Sequence, residues 1–196
     1  MVNANAIIIS LGDSGFAQFR LNKVHHFSDP QTHAFNTPFQ LSIIPPRILA
    51  RSRVFGGGPL HDMPEDASVT RHEVEHGDVL VFATDGVWDN LDSKDLLRII
   101  EKPMQSFQAW IESDSGVHTS SHIHNLTLPG GIPKQFENSL QTLLAVAIAG
   151  EAKMASLDTR TEGPFAREVQ KYFPNEEYFG GKVDDICTIV VIVVKE

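Results

Sequence analysis

The feature that most constrains this chain is the run Ile186-Cys187-Thr188-Ile189-Val190-Val191-Ile192-Val193-Val194. Branching at Cβ restricts χ1 and favours a pleated backbone, and the run places no charge on either of its alternating sides. Such a strand crosses a sheet that is covered on both faces. Val79-Leu80-Val81-Phe82-Ala83-Thr84 makes the same demand, being apolar on both faces as a central strand is. The fold is therefore organised around at least these two interior strands.

The remaining segments supply neighbours for them. Ala6 to Leu11 is a short apolar run closed by Gly12-Asp13-Ser14-Gly15, which predicts a buried strand entering a turn. Residues 16–21 and 24–27 flank the polar pair Asn22-Lys23 and read as a hairpin or meander. Between 29 and 64 the period is lost. Pro30, Pro38, Pro45, Pro46 and Gly56-Gly57-Gly58-Pro59 predict a long irregular excursion, of the kind that is functional or disordered. The triple glycine lacks the Lys-Ser/Thr of a nucleotide-binding loop. Ala67–Thr70 is a candidate strand, followed by a turn at Glu75-His76-Gly77-Asp78.

A helix is expected from Ser93 as cap, with Leu96, Leu97, Ile99 and Ile100 as its apolar stripe and Pro103 as its end. Residues 112–133 are polar and rich in Gly, Ser and His, and read as a loop. Phe136, Leu140, Leu143, Leu144, Ala147 and Ile148 recur at helical spacing and predict an amphipathic helix over 135–155. Pro164 suits a helix first turn, with Phe165, Val169 and Phe173 facing inward. Strands with helices segregated between them, and no regular βαβα alternation, indicate the α+β class in a single domain spanning 1–196.

Composition narrows the function classes. The formal net charge is −9, from 25 acidic and 16 basic residues. That balance excludes a nucleic-acid backbone or an anionic membrane as the main partner. A phosphorylated substrate remains compatible, because bound cations can supply positive charge locally. One cysteine, Cys187, excludes an internal disulfide and a multi-thiolate zinc site, and fits a reducing compartment. No apolar run approaches the roughly 20 residues of a membrane span, and the start Met1-Val2-Asn3-Ala4-Asn5 lacks the marks of a presequence. The expected setting is soluble and intracellular.

Three acidic clusters share one placement at strand ends. Asp13 follows the first strand; Asp85 follows 79–84, with Asp89 a turn further on; Asp184 and Asp185 precede the last strand. If they converge, repulsion must be relieved, since two unit charges ~4 Å apart interact by about 4 kcal/mol at an effective dielectric of 20. All-oxygen ligation without thiolate or imidazole selects hard ions, Mg²⁺ or Mn²⁺. Each aspartate also has a plainer reading: a turn residue at Asp13, a helix cap at Asp89, an exposed turn at Asp184-Asp185. His118, His122 and His124 read as solvated loop residues, His25-His26 as strand histidines, and Phe82 and Trp88 as core.

These segments together resemble the type 2C, or PPM, metal-dependent protein phosphatases. Leu11-Gly12-Asp13-Ser14-Gly15 resembles the family's strand-then-GDS segment. The stretch from Asp78 to Leu91, containing Ala83-Thr84-Asp85-Gly86-Val87-Trp88-Asp89, is similar to its S/T-D-G-x-W-D motif. Gly180-Gly181-Lys182-Val183-Asp184-Asp185-Ile186 is similar to the closing D-[ND]-[IMA]-T motif. Residues 29–41 and 163–169 resemble the organellar subgroup related to the yeast phosphatase Ptc seven.

The resemblance implies an α-β-β-α sandwich of two mainly antiparallel sheets flanked by helices, with Mg²⁺ or Mn²⁺ in a cleft at one edge. Its metal-ligand positions fall on Asp85 and Asp184 for one ion, and on Asp13, Asp85 and Asp89 for a weaker one. Asp185 stands where many relatives have Asn and is not assigned as a ligand. Cys187 stands where Thr is common and is expected to pack in the core. The implied activity is hydrolysis of phosphoserine or phosphothreonine in phosphoproteins by a metal-activated water, and the implied compartment is mitochondrial. The family's Asp-Gly-x-x-Gly segment, whose aspartate bridges two metals, does not occur in these 196 residues. The expectation is thus a C-terminal, incomplete phosphatase domain with feeble activity by itself; the alternative is an inactive phosphatase-derived interaction module.

Overall fold

The computed structural model describes residues 4–55, 60–132 and 139–195. Its centre is a four-stranded antiparallel sheet built from β2 (Gly15–Arg20), β3 (Lys23–Phe27), β7 (Val79–Ala83) and β10 (Thr188–Ile192), in the order β10-β7-β2-β3. The two runs that anchor the sequence argument are adjacent, with Val81 opposite Val190 and Ala83 opposite Thr188. β2 and β3 form the expected hairpin. Its two turn residues, Leu21 and Asn22, have φ of 48° and 61°, a left-handed pair that matches strand twist in a two-residue loop.

Alternation along these strands sorts residues onto two faces. Ala17, Phe19, Val79, Val81, Val190 and Ile192 are buried on one face. Against that face lie α3 (Ser93–Ser106) and α5 (Leu140–Leu157), whose buried stripes are Leu96, Ile100, Met104 and Leu140, Leu144, Ile148, Ala152. By length and composition α5 could cross a membrane, but here one side of it packs into this core. Trp110 fills the same core, 1% exposed, and its indole N–H donates to the Gly77 carbonyl at 2.9 Å.

The opposite face is covered differently. β1 (Ala4–Ser10) pairs with β6 (Ser68–Val74) in a separate antiparallel ribbon, with Ile8 opposite Thr70. The ribbon's His72 meets Phe16 of β2 and His26 of β3 at ring-centroid distances of 4.8 and 4.2 Å. Between ribbon and sheet lies a gap of about 590 Å³ lined by Ile7, Ile9, Phe16, Phe82, Cys187 and Ile189. Ile7 and Ile9 are 59% and 69% exposed, so the first strand is not the buried strand its apolar run predicts. Cys187 is likewise exposed rather than packed, because it shares the open side with Ile189 and Val191.

A buried ion pair joins ribbon and sheet. Arg20 donates from Nε and Nη2 to the two carboxylate oxygens of Asp78, both at 2.7 Å, and Asp78 is fully buried. The fully buried Gln18 amide donates to Asp78 at 2.7 Å and to the Glu73 carbonyl at 2.9 Å. The carboxylate favours charged Arg20, whose pKa is raised chiefly by that hydrogen bond.

Several local expectations are corrected. The stretch 29–64 contains a hairpin of β4 (Thr32–Ala34) and β5 (Thr37–Pro38) and a ten-residue helix α1 (Pro46–Phe55). Pro46 occupies a helix first turn, where its missing N–H costs nothing, and the flanking prolines hid that role. His33 contacts the buried Asp62 at 2.9 Å and Asp62 accepts from the Gln40 N–H at 2.7 Å, which ties the excursion together. The triple glycine lies outside the described residues.

Asp92, not Ser93, caps α3, accepting from the N–H groups of Lys94 and Asp95 in a capping box with Asp95. Pro103 does not end α3, which runs on to Ser106; lacking an N–H, it forgoes the helical hydrogen bond to the Ile99 carbonyl without breaking the last turn. The polar stretch 112–133 holds the second strand of a hairpin, β8 (Trp110–Ser113) with β9 (Gly116–Thr119), and a short helix α4 (Ile123–Thr127). The expected helix over 135–155 is found as α5; its predicted first turn, with Phe136, falls in 133–138, outside the described residues.

Candidate functional site

β7 ends at Ala83 and the chain turns at once into α2 (Asp85–Trp88), a single helical turn. The turn is tight because Gly86 lies against the Asp185 carbonyl, where a Cβ would collide with that oxygen. Thr84 locks the approach to β10: its hydroxyl donates to the Asp185 carbonyl at 2.9 Å and accepts from the Cys187 N–H at 3.1 Å. Asn90 clamps the other side. Its amide donates to the Gly86 and Lys182 carbonyls, both at 2.9 Å, and its carbonyl accepts from the Lys182 N–H at 2.9 Å. The segments carrying Asp85–Asp89 and Lys182–Asp184 are thereby held side by side at the ends of adjacent strands.

Their carboxylates converge on one ammonium. Lys182 Nζ lies 2.8 Å from Asp85 Oδ2, 2.6 Å from Asp89 Oδ2 and 3.2 Å from Asp184 Oδ2. It also sits 5.2 Å from the centre of the Phe165 ring, at the start of α6 (Pro164–Tyr172). Burial opposes the charge on Lys182, yet hydrogen bonds to Asp85, Asp89 and Asp184 outweigh it and raise its pKa. Asp184 is held below the usual carboxylate range, first by the Asp185 N–H and then by Lys182 and Asp85. Asp89 is pushed up because its burial outweighs the Lys182 contact. Asp13, at the turn into β2, is also pushed up, by burial first and by Asp85 next.

The four aspartates singled out by sequence thus occupy one end of the sheet. Three of them, Asp85, Asp89 and Asp184, share Lys182, while Asp13 stands alongside without a hydrogen bond to it. Asp185 contributes its backbone to the Thr84 latch. Sequence reasoning passed over Lys182 and Asn90. Lys182 lies two residues before Asp184 in a motif read only for its carboxylates, and the clamp by Asn90 spans 92 residues.

Among the described residues, no three His, Cys, Asp or Glu side chains are disposed as they stand to hold a metal ion. The donor chemistry nevertheless suits one. Three carboxylates already surround a single cation, all donors are hard oxygens, and the net charge of the group stays negative with the ammonium included.

Beside the cluster runs a cleft of about 480 Å³, lined by Asp13, Asp85 and Asp89 on one side. Phe27, Phe35, Trp88, Phe165 and Tyr172 supply its aromatic wall. Trp88 is half-buried and packs against the core; its indole donates to the Ala83 carbonyl at 2.7 Å and its ring meets Phe27 edge-on at 5.2 Å. Phe35 packs against Phe165, Tyr172 and Phe173 at 5.3–5.6 Å, so the irregular excursion and α6 close the cleft together.

No family model matches the sequence. Comparison with known proteins finds similarity to a protein phosphatase PTC7 homolog of Xenopus laevis, 33% identical over 94% of this chain and 49% of that protein. The Homo sapiens PTC7 homolog is 34% identical over 94% of this chain and 48% of its own length. The 5-azacytidine resistance protein azr1 of Schizosaccharomyces pombe is 30% identical over 95% of this chain and 50% of its own length. The chain spans about half the length of the curated relatives it matches. In structure it resembles the photosystem II phosphatase PBCP with a TM-score of 0.65 and 23% identity, covering 97% of this chain and 59% of that one. Over nearly its whole length, this chain is therefore related in sequence to about half of a PTC7-type protein phosphatase and shares the type 2C phosphatase fold.

Proposed function

We propose that this chain carries part of the active site of a metal-dependent protein serine/threonine phosphatase. The observation that carries the proposal is the convergence of Asp85, Asp89 and Asp184 on one cation position, with Asp13 alongside, at the mouth of an aromatic cleft. Asp85 and Asp184 would hold one Mg²⁺ or Mn²⁺, and Asp13, Asp85 and Asp89 an accessory one. A bound divalent cation would supply Lewis-acid polarisation of a phosphoryl oxygen and a lowered pKa for the attacking water.

The chain's own residues do the positioning. Thr84, Gly86 and Asn90 fix the two carboxylate-bearing turns by backbone contacts, so little reorganisation is left for the reacting state. The aromatic cleft gives the peptide around a phosphorylated serine or threonine an apolar bed beside the cluster. The negative surface, net −9, leaves the phosphate dependent on bound cations for attraction. A mitochondrial location accords with the organellar phosphatases the sequence resembles.

The test is calorimetric titration of Mn²⁺ and Mg²⁺ into the chain and into Asp85→Ala. It is paired with turnover of a phosphothreonine peptide by this chain and by a longer chain of the relatives' length. Metal binding that Asp85→Ala abolishes, with Mn²⁺-dependent turnover in the longer chain, is expected. Absence of Asp85-dependent metal binding in both chains would refute the proposal. Binding without turnover in either would instead favour a phosphatase-derived interaction module.

A further inference from the structure

We infer that Lys182 is a resident counter-cation of the carboxylate cluster, which a divalent ion must displace in order to bind. The inference rests on the metal reading of the same aspartates and adds what governs occupancy there.

Three observations support it. Lys182 Nζ contacts the carboxylates of all three aspartates, and its side chain is 17% exposed. The space nearest Oδ2 of Asp85 and Asp89 is the space the ammonium fills. A metal ion bound about 2.1 Å from those two oxygens, in the space between them, would take the position that the ammonium now holds. Second, the anchoring is split: the Lys182 backbone is clamped at both its N–H and its carbonyl by Asn90, whereas the side chain is held by hydrogen bonds and ion pairs to the aspartates themselves and by the Phe165 face. A long flexible stem on a fixed backbone can swing out without disturbing Asp184 two residues on. Third, the cluster needs a cation to stay assembled, since the three carboxylates would otherwise face one another partly buried.

Lysine and metal then compete for one set of oxygens. Removing the ammonium should raise metal affinity and weaken the protein in the absence of metal, two effects of opposite sign from one substitution.

The experiment compares the chain with Lys182→Met and Lys182→Arg. Mn²⁺ affinity is measured by calorimetry, and melting temperature in a chelator and in millimolar Mn²⁺. Lys182→Met should bind Mn²⁺ at least about tenfold more tightly and melt roughly 5 °C lower in chelator, with the deficit removed by Mn²⁺. Lys182→Arg should keep both values near those of the parent. Lysine acylation read by mass spectrometry needs no variant: Lys182 should be protected in chelator and labelled when Mn²⁺ is added. Unchanged affinity in Lys182→Met, with Lys182 still protected in Mn²⁺, would overturn the inference while leaving the metal reading intact. No Mn²⁺ binding by any of the three proteins would overturn both.

Discussion

The two faces of the four-stranded sheet are made of the same kinds of residue and meet different fates. On the helix side, Phe19, Val79, Val81 and Val190 are all below a tenth exposed, sealed by α3 and α5. On the ribbon side, burial fades across the sheet from Phe16 at 3% to Val191 at 41% and Ile189 at 59%. The β1–β6 ribbon reaches only part of that face. Composition cannot distinguish the two sides, because a β-branched run looks alike whether or not something covers it. The difference teaches where the fold's stability resides, and it places the carboxylate cluster at the edge where both sides end.

The largest expected effect comes from the ion pair that ties the sides together. Asp78→Ala leaves Arg20 and Gln18 without their shared buried acceptor, and loss of one partner of such a pair costs about 3–5 kcal/mol. Denaturant unfolding measures it, and a loss under 1 kcal/mol would show that the sides are not coupled there.

A direct contrast comes next. Leu144→Ala and Ile189→Ala each remove branched aliphatic mass, one on each side. Leu144 is fully buried, so its truncation should cost about 2–5 kcal/mol including the cavity left behind. Ile189 is mostly exposed, and its truncation should cost below about 1 kcal/mol while reducing self-association of the open apolar face. Equal costs would erase the comparison.

How much of this was legible in the sequence follows the same division. That 79–83 and 188–192 are strands was readable because both runs are apolar and β-rich. The cover on both faces expected of the last run is not found: β10 lies at an edge of the described sheet, with Ile189 59% and Val191 41% exposed. The exposure of Ile7, Ile9 and Cys187 was not readable either, since it depends on how far a separate ribbon extends. The helix α1 was hidden because prolines carry opposite meanings at a helix start and inside a helix. The hairpin from Trp110 to Thr119 left a usable signal, the Asp114-Ser115-Gly116 turn with Gly116 at φ 111°, that the polar composition obscured. At the site, Asp13, Asp85, Asp89 and Asp184 were legible from strand ends. Lys182 was not, because a lysine among aspartates reads as a solvated charge until the fold brings three carboxylates around it.

The smallest effect concerns the ribbon's own attachment. The rings of His26 of β3 and His72 of β6 meet at a tilt, centroids 4.2 Å apart, and both flank Phe16, so they are part of what holds ribbon to sheet. Burial lowers the pKa of each; for His72 the neighbouring His26 and His25 lower it further, and for His26 the pull of Asp29 only partly offsets burial. With folded pKa values below the unfolded value of about 6.5, the unfolded state binds more protons as the solution acidifies. The contribution is fully present above that unfolded value and is lost as pH falls through the folded pKa values. Both rings are partly solvated, so screening limits the loss to a few tenths of a kcal/mol. Global unfolding, dominated by the helix side, would blur so small a change, whereas local opening resolves it. Hydrogen exchange, corrected for intrinsic rate, should show the β1–β6 amides of Ile8 and Thr70 losing protection from pH 7 to pH 5. The amides of Val81 and Val190 should hold theirs over the same range. His26→Gln with His72→Gln should remove the ribbon's pH dependence; equal loss of protection in ribbon and sheet would mean that the two sides open together and that the imidazole pair is not the hinge of the difference.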